Sequence, residues 1–208
     1  MMKFYYAPAT CALASHIALE EAGADYEAIR IDFKSNQQLT PDYLAMNPKG
    51  RVPVLVTDRG VITETPAILA YVAQTHPASE LAPIDDPFAF AEVQSINSYL
   101  CSTVHPGHSH GIRGPRWADD PAAHEAMKAK VPQNMTDYFI VLESRFFRGP
   151  WVMGKSYSIV DPYLFTISGW LAQDKVDINQ FPHIADHFNR MMQRPAVAKV
   201  VADERSTS

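Results

Sequence analysis

The chain has 208 residues, of which 47% are hydrophobic and 20% charged, enough to close a core as one domain or as two small ones. A net charge of −5 with no Lys/Arg-rich run argues against nucleic acid or an anionic membrane surface as partner. Cys11 and Cys101 stand far apart without a CxxC spacing, which argues against a disulfide framework or a structural zinc site and for reduced thiols in the cytoplasm. Ala12-Leu13-Ala14 superficially resembles a signal-cleavage site, but Lys3, Pro8 and His16 interrupt its surroundings, and no apolar run reaches the roughly 18 residues a membrane span needs.

In chain order, residues 3–6 read as a short aromatic strand ended by a turn at Pro8, and residues 11–21 as a helix stopped by Gly23. Residues 26–31 alternate as a second strand, so the first three elements imply a right-handed parallel crossover. A polar loop over residues 32–38 leads to Thr40-Pro41-Asp42, a cap with proline at the first helical position. The stretch MNPKGRVPVLVTDRGVITET, residues 46–65, has the pattern of a hairpin. Pro53 lacks an N–H for a sheet ladder and marks a turn or edge there, for which a cis bond is one solution. Such a bend turns the N–H and C=O of Val52 outward, where a peptide-like ligand would pair with them as an added strand. Glu64 and Thr65 then open a helix over residues 66–74, gathering free N–H groups and a hydroxyl suited to a carboxylate. The order β-α-β-α-β-β-α is thioredoxin-like.

Pro77, Pro83 and Pro87, with Asp85-Asp86 between the last two, mark a linker. The expected division is a thioredoxin-like domain over residues 1–77, a linker over 78–86 and an all-helical domain over 87–208. Helical periods run over residues 88–104, 121–147, 159–172 and 183–192, with a short piece after Pro195. Ser158-Ile159-Val160-Asp161 reads as a variant capping box with Pro162 in the first turn, so Asp161 is a structural cap rather than an acid, worth about 1 kcal/mol or more. Cys101 and the aromatic set Tyr163, Phe165 and Trp170 read as core. The spacing of His105, His108 and His110 does not put three imidazoles on one helical face, so no metal site is expected.

The two-part organisation, the Pro53 turn, the Glu64-Thr65 helix start and the Ser158 to Asp161 cap together resemble the cytosolic glutathione transferase family over nearly the whole chain. FYYAPATCALASH, NPKGRVPVL and DPYLFTISGW are similar to the bacterial beta class, in which a cysteine stands where other classes have tyrosine or serine. The resemblance implies a homodimer with glutathione as co-substrate in the first domain and a hydrophobic pocket contributed mainly by the second. It assigns Val52 to the cysteinyl part of glutathione, Glu64 and Thr65 to its γ-glutamyl end and Lys34 to its glycyl carboxylate. Tyr6 takes the place of the family's N-terminal tyrosine, beneath the ligand. Cys11 is placed at the mouth of the first helix, where a thiolate is favoured, and His105 faces the sulfur. Pro106 departs from the lysine that commonly follows this histidine. The implied activity is addition of the glutathione sulfur to a small electrophile, or thiol-disulfide chemistry through a Cys11 mixed disulfide. The alternative is a non-catalytic binding or regulatory protein on the same fold. The stretch from His105 to Arg116 becomes a wall above the sulfur, with His108 and Arg113 favouring an anionic or electrophilic co-substrate.

Overall fold

The computed structural model describes residues 1–206. Its first half runs β1 (Met2–Tyr6), α1 (Ala12–Glu21), β2 (Tyr26–Arg30), α2 (Pro41–Met46), β3 (Val54–Thr57), β4 (Gly60–Thr63) and α3 (Thr65–Thr75). The sheet order is β2-β1-β3-β4, with β1 parallel to β2 and the other pairs antiparallel. This is the thioredoxin-like arrangement that the element order predicts. Alternation along β1 buries Phe4 and Tyr6 on one face while Tyr5 turns to the other.

Helix α1 is buried on nearly every side, because α3 covers it from the first half and α7 (Val160–Ser168) and α9 (Pro195–Ser206) from the second. Its small residues Ala12, Ala14 and Ala18 let those neighbours approach closely. Gly23, at φ +61°, ends it in a paired reverse turn in which the N–H of Ala24 donates to Leu19 and that of Gly23 to Glu20. The seam with the second half is closed by His16 on Glu204 at 2.9 Å and by the fork of Arg194 on Glu21 at 2.5 and 2.8 Å.

The second half is helical: α4 (Pro87–Tyr99), α5 (His105–Ser109), α6 (Pro121–Val141), α7, α8 (Pro182–Met192) and α9. Asp86 caps α4 through the N–H groups of Phe88 and Ala89, and Asp120 caps α6 through that of Ala122. The sequence pattern ends the first of these helices at residue 104, yet the rod continues through α5. A π turn over Leu100–Val104 carries the chain past Pro106, with the N–H of His105 reaching back to Leu100. The widened turn accommodates a proline that has no N–H to continue an α ladder.

Asp161 does more than cap α7. Its carboxylate, fully buried, accepts from the N–H of Ser158 at 2.7 Å, as in a capping box, and also from the N–H of Val152 at 2.9 Å and from His187 Nε2 at 3.0 Å. One side chain thus ties α7, α8 and the turn before them. Among the described residues no helix is long and apolar enough to cross a membrane.

Candidate functional site

A cleft of about 510 Å³ opens between the two halves, with Cys11, Val52, Glu64 and Thr65 on one wall and His105 and Tyr163 on the other. The first wall is built by the turn before β3. Gly50 adopts φ +61°, and a Cβ there would stand 2.9 Å from the Leu39 side chain. Tyr43 Oη and Asn47 Nδ2 donate to the carbonyl of Arg51 at 2.8 and 2.7 Å, fixing the next peptide. The Val52-Pro53 bond is cis, and Val52 lies just outside the ladder that starts at Val54.

Cys11 sits immediately before α1, half-buried, and its Sγ donates to the carbonyl of Val52 at 3.8 Å. Burial pushes its thiol up to about 11, against the lowering effect of the Thr65 hydroxyl. This corrects the expected thiolate. The first N–H groups of α1 are already committed: those of Ala12 and Leu13 go to the side chain and carbonyl of Thr10, and that of Ala14 to the Cys11 carbonyl. Little helix-end donation remains for the sulfur, and desolvation prevails.

Glu64 precedes α3 with φ +75°, a left-handed conformation unusual for a residue with a side chain. Its carboxylate pairs with Lys49, which also donates to Thr63 Oγ1. Thr65 is buried at the first turn of α3, its hydroxyl 3.5 Å from the Cys11 carbonyl.

His105 faces this wall from the second half, its ring 5.0 Å from that of Trp170. Burial, reinforced by His108, Arg116, Arg113 and Arg51, pushes its imidazole down to about 4, so it is neutral at physiological pH. His108 does not face a ligand freely from the wall. It is buried, bonded through Nδ1 to both oxygens of Asp174 at 2.8 and 2.9 Å, and stacked on Trp170 at 4.6 Å, so it positions that indole. His110 packs against Trp117. Among the described residues no cluster of His, Cys, Asp or Glu is placed to hold a metal ion.

Two expected ligand residues are elsewhere. Tyr6 shares its face of β1 with Phe4, packs on His16 at 4.9 Å and borders a separate hollow beside Glu20 and Asp203. Lys34 lies in an exposed loop, its N–H held by Asp32 Oδ1 at 2.9 Å, and does not line the cleft. Conversely, Tyr163 is core, as the pattern assigns it, with Cys101 and Trp170 packed against that core, and all three also border the cleft, where Arg51 joins them from the first half. The signal for the helical wall is present in the sequence: His105, His108, Ser109 and Ile112 recur at i, i+3, i+4 and i+7, with Cys101 one turn earlier. Phe165 belongs to a second core cluster, stacked on Phe188, and does not border the cleft.

A model of the family described as "Glutathione S-transferase, N-terminal domain" matches residues 1–74, and one described as "Glutathione S-transferase, C-terminal domain" matches residues 100–195. The chain is 32% identical over 206 residues to glutathione S-transferase GstA of Escherichia coli O157:H7, covering 98% of each protein. The crystal structure of a glutathione transferase homologue from Sulfitobacter with bound glutathione superposes with a TM-score of 0.94 at 43% identity, covering 98% of each chain. A bacterial beta-class glutathione S-transferase from Sphingomonas chungbukensis superposes with a TM-score of 0.84 at 30% identity, covering 97% of this chain and 98% of that one. Matches to both halves in order, over nearly the full length and on the observed fold, mean that the chain belongs to the glutathione S-transferase family.

Proposed function

We propose that the protein is a glutathione transferase of the beta type that joins the sulfur of glutathione to a small electrophile. One observation carries the reading: Cys11, the Val52 turn and the Glu64-Thr65 helix start share one wall of a cleft whose other wall presents a neutral His105. Glutathione is extended and bears an ammonium, two carboxylates and a thiol. Val52 offers backbone groups outside the ladder, Glu64 offers an anion for the ammonium, and the N-terminus of α3 offers N–H groups for the neighbouring carboxylate.

In this reading the thiol proton passes to the neutral imidazole of His105 or to water as the sulfur approaches the electrophile. In a substitution the C–S bond forms and the leaving group departs with its bonding pair; in an addition the proton returns to carbon. On binding, Cys11, held protonated, turns its single S–H from the Val52 carbonyl to the glutathione sulfur and stabilises it as a thiolate. A protonated Cys11 is poorly suited to attack a disulfide itself, which favours transfer over mixed-disulfide chemistry. The working unit is a homodimer, and the apolar Phe88 and Ile140 left on the surface of α4 and α6 are candidates for its contact.

Calorimetry with glutathione, followed by turnover of a chromogenic aryl halide, tests the proposal. Binding at millimolar glutathione or below, with turnover reduced about 100-fold in His105→Ala, is the expected result. Failure to bind glutathione removes the enzyme reading and leaves a binding or regulatory role on this fold.

A further inference from the structure

Three guanidinium groups converge on the cleft without a counter-charge. Arg51 comes from the turn before Pro53, and Arg113 and Arg116 come from the segment after α5. None of the three makes an ion pair or a side-chain hydrogen bond among the described residues, whereas Arg148, Arg190 and Arg194 each pair with a carboxylate. The one carboxylate bordering the cleft among the described residues, Glu64, is already matched by Lys49, and His108 is bonded to Asp174. The three arginines act on one another. Burial, then Arg113 and Arg51, push the guanidinium of Arg116 down, so the three lie within electrostatic reach of one another. A chain of net charge −5 has concentrated unpaired positive charge at the one cleft where its chemistry is expected.

We infer that the second substrate is an anionic electrophile, a small molecule whose carboxylate or sulfonate is held by Arg51, Arg113 and Arg116 while its electrophilic carbon meets the glutathione sulfur. The inference rests on the transferase reading and specifies its substrate class. The planar fork of arginine suits a carboxylate bidentately, and two arginines of the second domain with one of the first let the anion bridge the cleft. Trp170 and Ile112 supply the apolar surface for the rest of the molecule. The anionic group does not react; it positions the carbon that does.

The test is a matched pair of aryl halides, 4-chloro-3,5-dinitrobenzoate and its carboxamide, with each kcat/KM divided by the uncatalysed rate with glutathione. At saturating glutathione the wild-type protein is expected to favour the acid by about tenfold or more. Arg113→Ala and Arg116→Ala should each cut that preference severalfold through KM, and Arg116→Lys should retain part of it. Turnover of the amide with no preference for the acid overturns the inference and leaves the transferase reading intact. So does a loss of glutathione affinity in Arg116→Ala with the acid preference unchanged, since the arginines would then serve a carboxylate of glutathione itself. Turnover of neither compound, with glutathione bound, removes both. A wild-type ratio near one overturns the inference even if a variant fails to fold, and the conservative Arg116→Lys assigns a positive ratio if the alanine variants do not fold.

Discussion

The thiol of Cys11 donates to the carbonyl of Val52 at 3.8 Å, so the cysteine before α1 and the turn before Pro53 are joined by one hydrogen bond within one wall of the cleft. A protonated sulfur is the partner that bond requires, in keeping with a thiol pushed up to about 11.

Alkylation of Cys11 by iodoacetamide should therefore be slow at neutral pH and should rise about tenfold per unit until the thiol titrates near 11. Peptide mapping of the labelled protein, with Cys11→Ala as control and Cys101 followed separately, gives the profile. A plateau reached near pH 7 would contradict the burial argument.

His105 sets a pH dependence whose sign is fixed. Its folded value, about 4, lies below the ordinary 6.5, so between these values the unfolded chain binds the proton more readily. Stability contributed by the neutral ring is present above about 6.5 and is lost as pH falls towards 4, by up to about 3 kcal/mol. In urea titrations His105→Gln should show a shallower decline over this window than the native protein. An equal slope in both would assign the decline to other groups.

Glu64 separates binding from stability. Its pairing with Lys49 is solvent-exposed and contributes about 0 to 1 kcal/mol to the fold. Glu64→Gln should leave the thermal midpoint within about 2 °C while weakening glutathione about tenfold or more, since the ammonium loses its anion. Unchanged affinity by calorimetry would dismiss Glu64 as the γ-glutamyl contact.

Asp161→Ala should be the most damaging of these changes. It strands the N–H groups of Ser158 and Val152 and the Nε2 of His187, all buried, at a cost of about 3 to 5 kcal/mol. Ser158→Ala removes only a hydroxyl that accepts from Val160 and donates to Asp161, and should cost about 1 kcal/mol. Chemical denaturation of both variants ranks them; equal costs would reduce Asp161 to an ordinary cap.

The thioredoxin-like order, the helical second half, the Pro53 turn and the Ser158 to Asp161 cap were legible in the chain because each follows from local chemistry: strand alternation, proline geometry, a side chain three residues from the N–H it satisfies. The cleft wall was legible in part. Val52, Glu64 and Thr65 lie within fourteen residues of one another in a turn-hairpin-helix unit, so their proximity is nearly a local matter.

What the sequence could not decide depends on which surfaces meet. Tyr6 and Lys34 sit in plausible elements, but the face of β1 and the path of the loop after β2 turn them away from the cleft. The protonation of Cys11 is a balance between burial and donors already spent on Thr10, and neither term has a local signature. Arg51 and Arg116 are separated by more than sixty residues, and only the packing of the two halves aims them at the same space. Local propensity fixed the elements and the turn; the electrostatics of the site arose when two independently patterned halves closed on one cleft, because charge interactions act through space rather than along the chain.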